Sequence, residues 1–169
     1  MDSNSDKAII PINPKEFAEQ IYRVFQDAYQ IEADLIGADL IGNNVFPPLT
    51  RTVDDISQSA NSFFAAFNNQ RICAVIESET TETSHDESPR SSIVSLAVSS
   101  DYARQGLGRR LVEYVIERFG PLTVTTVTTA KKNLPAIALY KELGFVISNT
   151  FDTPETIQMV EMVKEREND

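Results

Sequence analysis

Cysteine and histidine are nearly missing from this chain of 169 residues. Its one cysteine, Cys73, excludes an internal disulfide, and a single histidine, His85, leaves too few soft ligands for a structural zinc site. Metal chemistry is therefore not expected. No run approaches the roughly 20 apolar residues that a membrane span requires, and the opening MDSNSDKAIIPINP lacks a basic stretch followed by an apolar core. A soluble, cytoplasmic protein that does not engage a membrane is expected. Basic residues are outnumbered: 15 Lys and Arg against 25 Asp and Glu give a net charge of −10. Nucleic acid and anionic lipid both demand a basic footprint and are disfavoured as partners, whereas a cationic acceptor would be drawn by the same field. Acidity of this kind also serves solubility alone, so it weighs little on the choice of substrate.

Apolar residues, by contrast, make up 41% of the chain, which excludes wholesale disorder, and the length suits one domain over residues 1–169. Residues 7–12 read as a first strand. Asn13 caps the helix after it, with Pro14 at the first helical position, Glu16 three residues beyond the cap, and Ile12 and Phe17 as a hydrophobic staple. Phe17, Ile21, Val24, Phe25 and Ala28 form the apolar stripe of that helix. The pentapeptide Ala-Asp-Leu-Ile-Gly then occurs twice, at 33–37 and 38–42, too few copies for a repeat fold. Phe46-Pro47-Pro48-Leu49 is expected to be extended, because proline restricts its predecessor, and Thr52 with Asp55 suits a short capped helix.

Strands at 62–67 and 70–79 flank a hairpin turn at Asn68-Asn69. Residues 78–90, SETTETSHDESPR, are polar, acidic and without apolar periodicity, and are expected to form a mobile surface loop in which His85 is solvated rather than catalytic. A central strand follows at 93–98, then a helix with Leu107, Leu111, Val112, Val115, Ile116 and Phe119 on one face. Gly120-Pro121 breaks the chain, and 122–128 alternates Val and Thr as a strand does. Asn133 caps a last helix, which Gly144 closes. Strands at 145–151 and 156–163, around a turn with Asp152 and Pro154, leave a charged tail expected to fray.

The chain is organised around residues 91–108, SSIVSLAVSSDYARQGLG. A strand that feeds a glycine-bearing turn into a helix leaves free backbone N–H groups at the positive end of the helix dipole, which is a seat for phosphate. One GxG at such a turn fits a dinucleotide fold, a relative of the P-loop or a plain helix start. A second stretch, NLPAIALYKELGF at 133–145, decides among them. Together the two resemble the signature motifs of the GNAT superfamily of acetyl-coenzyme A-dependent N-acetyltransferases. Gly106 and Gly108 match the Gln/Arg-x-x-Gly-x-Gly/Ala motif, with Ala103 where Gln or Arg usually stands. Asn133, Ala136, Tyr140, Gly144 and Phe145 match the second motif in full.

The resemblance implies an α/β (mixed α+β) single-domain fold, a mostly antiparallel sheet of about seven strands with flanking helices and one splayed parallel pair into which coenzyme A wedges. It implies that the backbone of Arg104, Gln105, Gly106, Leu107 and Gly108 surrounds the pyrophosphate, with charge from Arg104, Arg109 and Arg110, although at least one of these arginines reads as a solvated helix residue. Leu96, Ala97 and Val98 would contact pantetheine in the manner of a paired strand, and Asn133 and Ala136 would border the same arm. Tyr140 would protonate the departing thiolate, and the segment between the first two strands would form part of the acceptor pocket, unless Phe46 and Leu49 merely lid the core. The glutamate that serves some family members as base corresponds to Ser92, and none of Glu77, Glu79, Glu32 or Asp34 stands out as a substitute from ordinary surface carboxylates. A small-molecule or peptide amine is the implied acceptor, with its identity, and a homodimer, left open. Ala103 and Ser92 also keep alive a catalytically idle acyl-coenzyme A-binding module.

Overall fold

The computed structural model describes residues 7–37, 46–81 and 88–167. The second pentapeptide copy and His85 lie outside them. Seven strands form one sheet: β1 (Ile9–Ile12), β2 (Ser62–Asn68), β3 (Arg71–Thr81), β4 (Arg90–Val98), β5 (Val124–Ala130), β6 (Val146–Asp152) and β7 (Gln158–Lys164), in the order β1-β2-β3-β4-β5-β7-β6. The helices are α1 (Pro14–Ile36), α2 (Val53–Ser57), α3 (Leu107–Phe119) and α4 (Leu134–Glu142). Among the described strands β4 and β5 make the one parallel pair, and every other neighbouring pair is antiparallel. This is the mixed sheet that the sequence implied.

The sheet is buried on both faces because its central strands alternate between two cores. Phe63 and Ala65 of β2, with Val75 and Ala97, pack under Ile21, Val24 and Phe25 of α1. Phe64, Ala66 and Ile76 turn the other way, onto Leu111, Val112 and Val115 of α3. Cys73 belongs to that second core, its thiol donating to the Ala66 carbonyl at 3.2 Å. Helix α1 starts as the sequence suggests, with the Asn13 side chain accepting from the Lys15 N–H at 3.0 Å. It runs on through the first pentapeptide copy and stops at Gly37, whose φ of 74° is the left-handed cap that favours glycine.

Several expectations need correction. Phe46 alone is extended; residues Pro47–Thr50 form a 3-10 turn, since a proline φ suits the first position of a helix and Thr50 closes the turn through its hydroxyl on the Pro47 carbonyl at 2.7 Å. The polar stretch after Glu77 is not loop from Ser78 onward. Its residues to Thr81 extend β3 and pair with Arg90 to Ile93, because a ladder needs backbone groups rather than apolar side chains and threonine suits it. Strand β5 begins two residues later than its Val/Thr alternation suggests, at Val124, and β7 begins at Gln158. The tail is tied down as far as Glu167, whose N–H donates to the Pro121 carbonyl at 2.8 Å.

The feature that positions the site is a fork. Strands β4 and β5 pair only over Arg90↔Val124 to Ile93↔Val127. At the same level the pairing of β3 with β4 steps from Glu77↔Ser95 to Ser78↔Ile93, so Val94 is an extra residue on β4. A bulge of this kind bends and twists its strand. From there β4 leaves β5, and among the described residues the edge of β4 from Val94 to Val98 has no strand beside it on that side.

Candidate active site

Between the diverging strands lies a cavity of about 410 Å³. Ile93, Val94, Ser95 and Leu96 form one wall, Val127, Thr128 and Thr129 the other, and Asn133, Ala136 and Tyr140 of the α4 region close one side. Tyr29 and Glu32 of α1, Phe46 to Pro48, and Phe151 with Ile157 from the β6–β7 region complete it. Phe46 is both lid and core: it is buried and meets Tyr29 edge-on, with ring centroids 6.3 Å apart.

The N-terminus of α3 stands beside the fork. Residues 103–106 are exposed, and Gly106, the residue before the helix, has φ 77°. Arg104 is also left-handed, at φ 60°. The first intrahelical bond is that of the Arg110 N–H to the Gly106 carbonyl, so the amides ahead of it face outward at the positive end of the helix, as an anion seat requires. The approach to this turn is held by α1: Asp27 accepts from the Ser100 N–H at 2.7 Å and from its hydroxyl at 3.0 Å. Gly108 faces the groove between β4 and α4. A Cβ there would sit 3.8 Å from Val98 Cγ2 and Leu139 Cδ2 and 4.0 Å from Leu96 Cδ2, ordinary contact rather than a clash.

Of the three arginines, two are committed within the fold. The Arg109 guanidinium pairs with Glu142 and, at 3.8 Å, with Glu113. Arg110 donates to the Lys7 carbonyl at 2.8 Å and ties α3 to the start of β1. Arg104 and Gln105 are exposed on the turn itself, whereas the Leu107 side chain is buried in the core and brings only its backbone. Leu96 and Val98 are half-buried at the fork, and the Ala97 side chain points to the opposite core.

Tyr140 is buried, edge-on to Phe145 with centroids 5.5 Å apart, and reaches the cavity. Burial pushes its phenol well above the ordinary range, and the nearby Tyr29 and Glu32 add to this. Tyr140 therefore carries its proton at neutral pH. Asn133 caps α4, its side-chain carbonyl accepting from the Ala136 N–H at 3.3 Å. Asn133 lines the same cavity as Glu32, and its side chain favours the charged form of that carboxylate. Burial nonetheless raises Glu32 above the usual carboxylate range.

Two carboxylates depart from the expectation of ordinary surface groups. Glu77 is fully buried, and its two oxygens accept from Arg51 Nη1 at 2.5 Å and Nη2 at 2.9 Å, Ser95 Oγ at 2.9 Å, Asn61 Nδ2 at 3.0 Å and Ser59 Oγ at 3.2 Å. Burial alone would raise it, but these bonds and the guanidinium charge outweigh burial and hold Glu77 below the usual range. It is a structural anion, spent on binding the segment after α1 to the central strands. Glu32, half-buried, is the carboxylate that reaches the cavity. Asp34 and Glu79 are exposed. Ser92 lies where β4 and β5 are still paired, its hydroxyl accepting from Thr126 at 3.2 Å, and Ser95 rather than Ser92 faces the cavity. Tyr29 carried no reading in the sequence and Glu32 was set aside there as one of four surface carboxylates, although their i, i+3 spacing on α1 puts both on one face, and both line the cavity.

Residues 18–145 match the sequence model of the Acetyltransferase (GNAT) family. UPF0157 protein YqkA of Bacillus subtilis (strain 168) is 32% identical over 123 residues, 73% of this chain and 34% of that protein. Ribosomal protein bS18-alanine N-acetyltransferase of Escherichia coli (strain K12) is 44% identical over 55 residues, 31% of this chain and 37% of that protein. The chain thus spans about a third of the length of these curated relatives. Among solved structures, the ribosomal-protein-S18-alanine N-acetyltransferase of Escherichia coli superposes with a TM-score of 0.69 at 20% identity, over 96% of each chain. The NatC complex bound to Gag peptide and CoA gives 0.66 at 15% identity, over 95% of this chain and 98% of the other. At these identities the likeness is one of fold.

Proposed function

The chain belongs to the GNAT family of acetyltransferases, and from that premise we propose that it moves an acetyl group from acetyl-coenzyme A to a primary amine by direct attack in a ternary complex. The observation that carries this reading is the cavity at the β4/β5 fork. Its wall residue Leu96 also abuts Gly108 at the head of α3, and Tyr140 opens onto it. The donor set fits acetyl-coenzyme A: outward amides on an exposed turn for its pyrophosphate, an unpaired strand edge for its pantetheine arm, and an apolar cavity for its acyl end.

Acetyl-coenzyme A supplies a thioester whose carbonyl carbon accepts the amine nitrogen and whose sulfur leaves. The backbone of Arg104 to Gly108 holds the phosphates, and the edge of β4 from Leu96 to Val98 orients the arm. Arg104, exposed on the turn, is the arginine left to add charge there, since Arg109 and Arg110 are engaged in the fold. Asn133 and Ala136 border the cavity at the start of α4. Tyr140 gives its proton to the leaving sulfur. Its raised pKa does not spoil this role, because the same loss of water makes a thiolate in the cavity a stronger base.

The acceptor we favour is the N-terminal amine of a peptide or protein. The name of the Escherichia coli relative and the peptide in the NatC complex support it. The test is isotopic acetyl transfer from acetyl-coenzyme A to a panel of peptide amides, polyamines and amino sugars, with the acetylated nitrogen identified by mass spectrometry. Label on a peptide N-terminus is the expected result. Tight acetyl-coenzyme A binding without transfer to any amine would favour the idle binding module instead.

A further inference from the structure

The cavity at the fork is walled by apolar and hydroxyl-bearing side chains, and Glu32 is the single carboxylate among its described lining residues. Among the described residues no lysine, arginine or histidine lines it. Glu32 is not an idle surface group: it sits on the last full turns of α1, is half-buried, and lines the cavity together with Asn133. The titratable groups facing it are the phenols of Tyr29 on its own helix and Tyr140 on α4, both held protonated by burial. The buried anion next to Tyr29, Glu77, is neutralised by Arg51. When Glu32 is ionised it gives the cavity one net negative charge, and among the described lining residues there is no cation to pair with a second.

We infer that Glu32 is the catalytic residue that receives the acceptor's ammonium group, and that the cavity selects amines with no carboxylate on the adjacent carbon. A peptide N-terminus, an amide or a simple amine brings a lone positive charge, which Glu32 satisfies. A free α-amino acid brings a carboxylate next to its amine, and that carboxylate would be desolvated beside Glu32 with no cation to meet it. The chemical step rests on the acetyl transfer proposed above. The ammonium gives one proton to Glu32, which passes it to solvent. The freed nitrogen pair forms the C–N bond as the C–S bond breaks and its electrons go to sulfur. Sulfur takes the Tyr140 proton, and the second proton lost by nitrogen replaces it. The products are the N-acetyl amine, the free thiol and one proton.

Alaninamide and alanine differ only in the carboxylate, so they are the probes. Calorimetry on the full chain saturated with coenzyme A reads binding without turnover, and initial rates with acetyl-coenzyme A read transfer. In the wild type alaninamide should bind at least about tenfold more tightly than alanine. Glu32→Gln, which keeps the side-chain shape, should lose most of the alaninamide affinity and bring the two probes within about threefold of each other. It should also lower kcat/KM for alaninamide by roughly a hundredfold, with melting temperature and coenzyme A affinity unchanged and Glu32→Asp partly restoring the rate. If the wild type acetylates neither probe yet the binding preference is present and vanishes in Glu32→Gln, the transfer reading fails and the role of Glu32 in amine recognition stands. The inference is overturned if the wild type binds neither probe, if it binds both alike, or if Glu32→Gln retains the preference.

Discussion

Arg51 and Glu77 form the most heavily bonded pair around the site, and removing one partner should be expensive. Arg51→Ala leaves a fully buried carboxylate that keeps only its Ser59, Asn61 and Ser95 donors. Because those three remain, the cost should fall at the lower end for a broken buried pair, about 3 kcal/mol, read as a drop in the denaturant midpoint at unchanged slope. The pH dependence has a fixed sign. The folded-state pKa of Glu77 lies below its unfolded value, so the stability it contributes is fully present above the unfolded carboxylate pKa of about 4.3 and is lost as pH falls through the folded value. Wild-type melting temperature should fall more steeply on acidification below about pH 4 than that of Glu77→Gln. In the sequence Glu77 is one of 25 acidic residues with nothing to mark it. Its role depends on Arg51, Ser59 and Asn61 arriving from a segment whose packing no local pattern encodes. That Tyr140 merits attention was legible because it falls inside a fixed motif, and it does line the cavity, whereas Glu32 joins that lining only once α1 is laid across the fork.

At the scale of elements, the turn into α3 joins conformation to function. Gly106 has φ 77°, and a Cβ placed on it would meet nothing within 4 Å. A Gly106→Val change therefore costs backbone strain, about 1–2 kcal/mol, and little packing. Melting temperature should drop by roughly 2–8 °C, whereas acetyl-coenzyme A affinity should fall by at least about tenfold, because the new side chain projects from the amide seat. Equal affinity in the two proteins would remove the phosphates from this turn. The α4 cap offers a second test. Asn133→Ala removes both the bond to the Ala136 N–H and the side chain that favours charged Glu32, so stability should fall by about 1 kcal/mol and Glu32 should titrate at a higher pH. Caps, the capping box of Thr52 with Asp55, and the glycine at the end of α4 were all legible, since each is a local hydrogen-bond problem with few solutions. The polar end of β3 and the Pro47–Thr50 turn were not. A ladder on a neighbouring strand decides the first and a hydroxyl-to-carbonyl closure the second.

Across the whole molecule, the two motifs read from the sequence stand on either side of one feature: the α3 turn follows β4, and α4 follows β5. The fork between those strands comes from the Val94 bulge and from the end of the parallel ladder at Ile93 and Val127, which no residue type announces. The first half of the chain supplies the remaining wall through α1 and the segment after it, which explains why its contribution was hidden: without the sheet, Tyr29 and Glu32 read as ordinary helix residues. The proposed chemistry converges on one atom, the Tyr140 phenolic oxygen. Single-turnover acetyl transfer to a peptide amide by Tyr140→Phe, with acetyl-coenzyme A binding and melting measured on the same samples, tests it most directly. The account predicts a rate at least roughly a hundredfold below wild type, with donor affinity and melting temperature close to wild type, because only the proton has been removed. A rate within a few-fold of wild type would contradict it, and would leave Tyr140 as a packing residue of the α4 core.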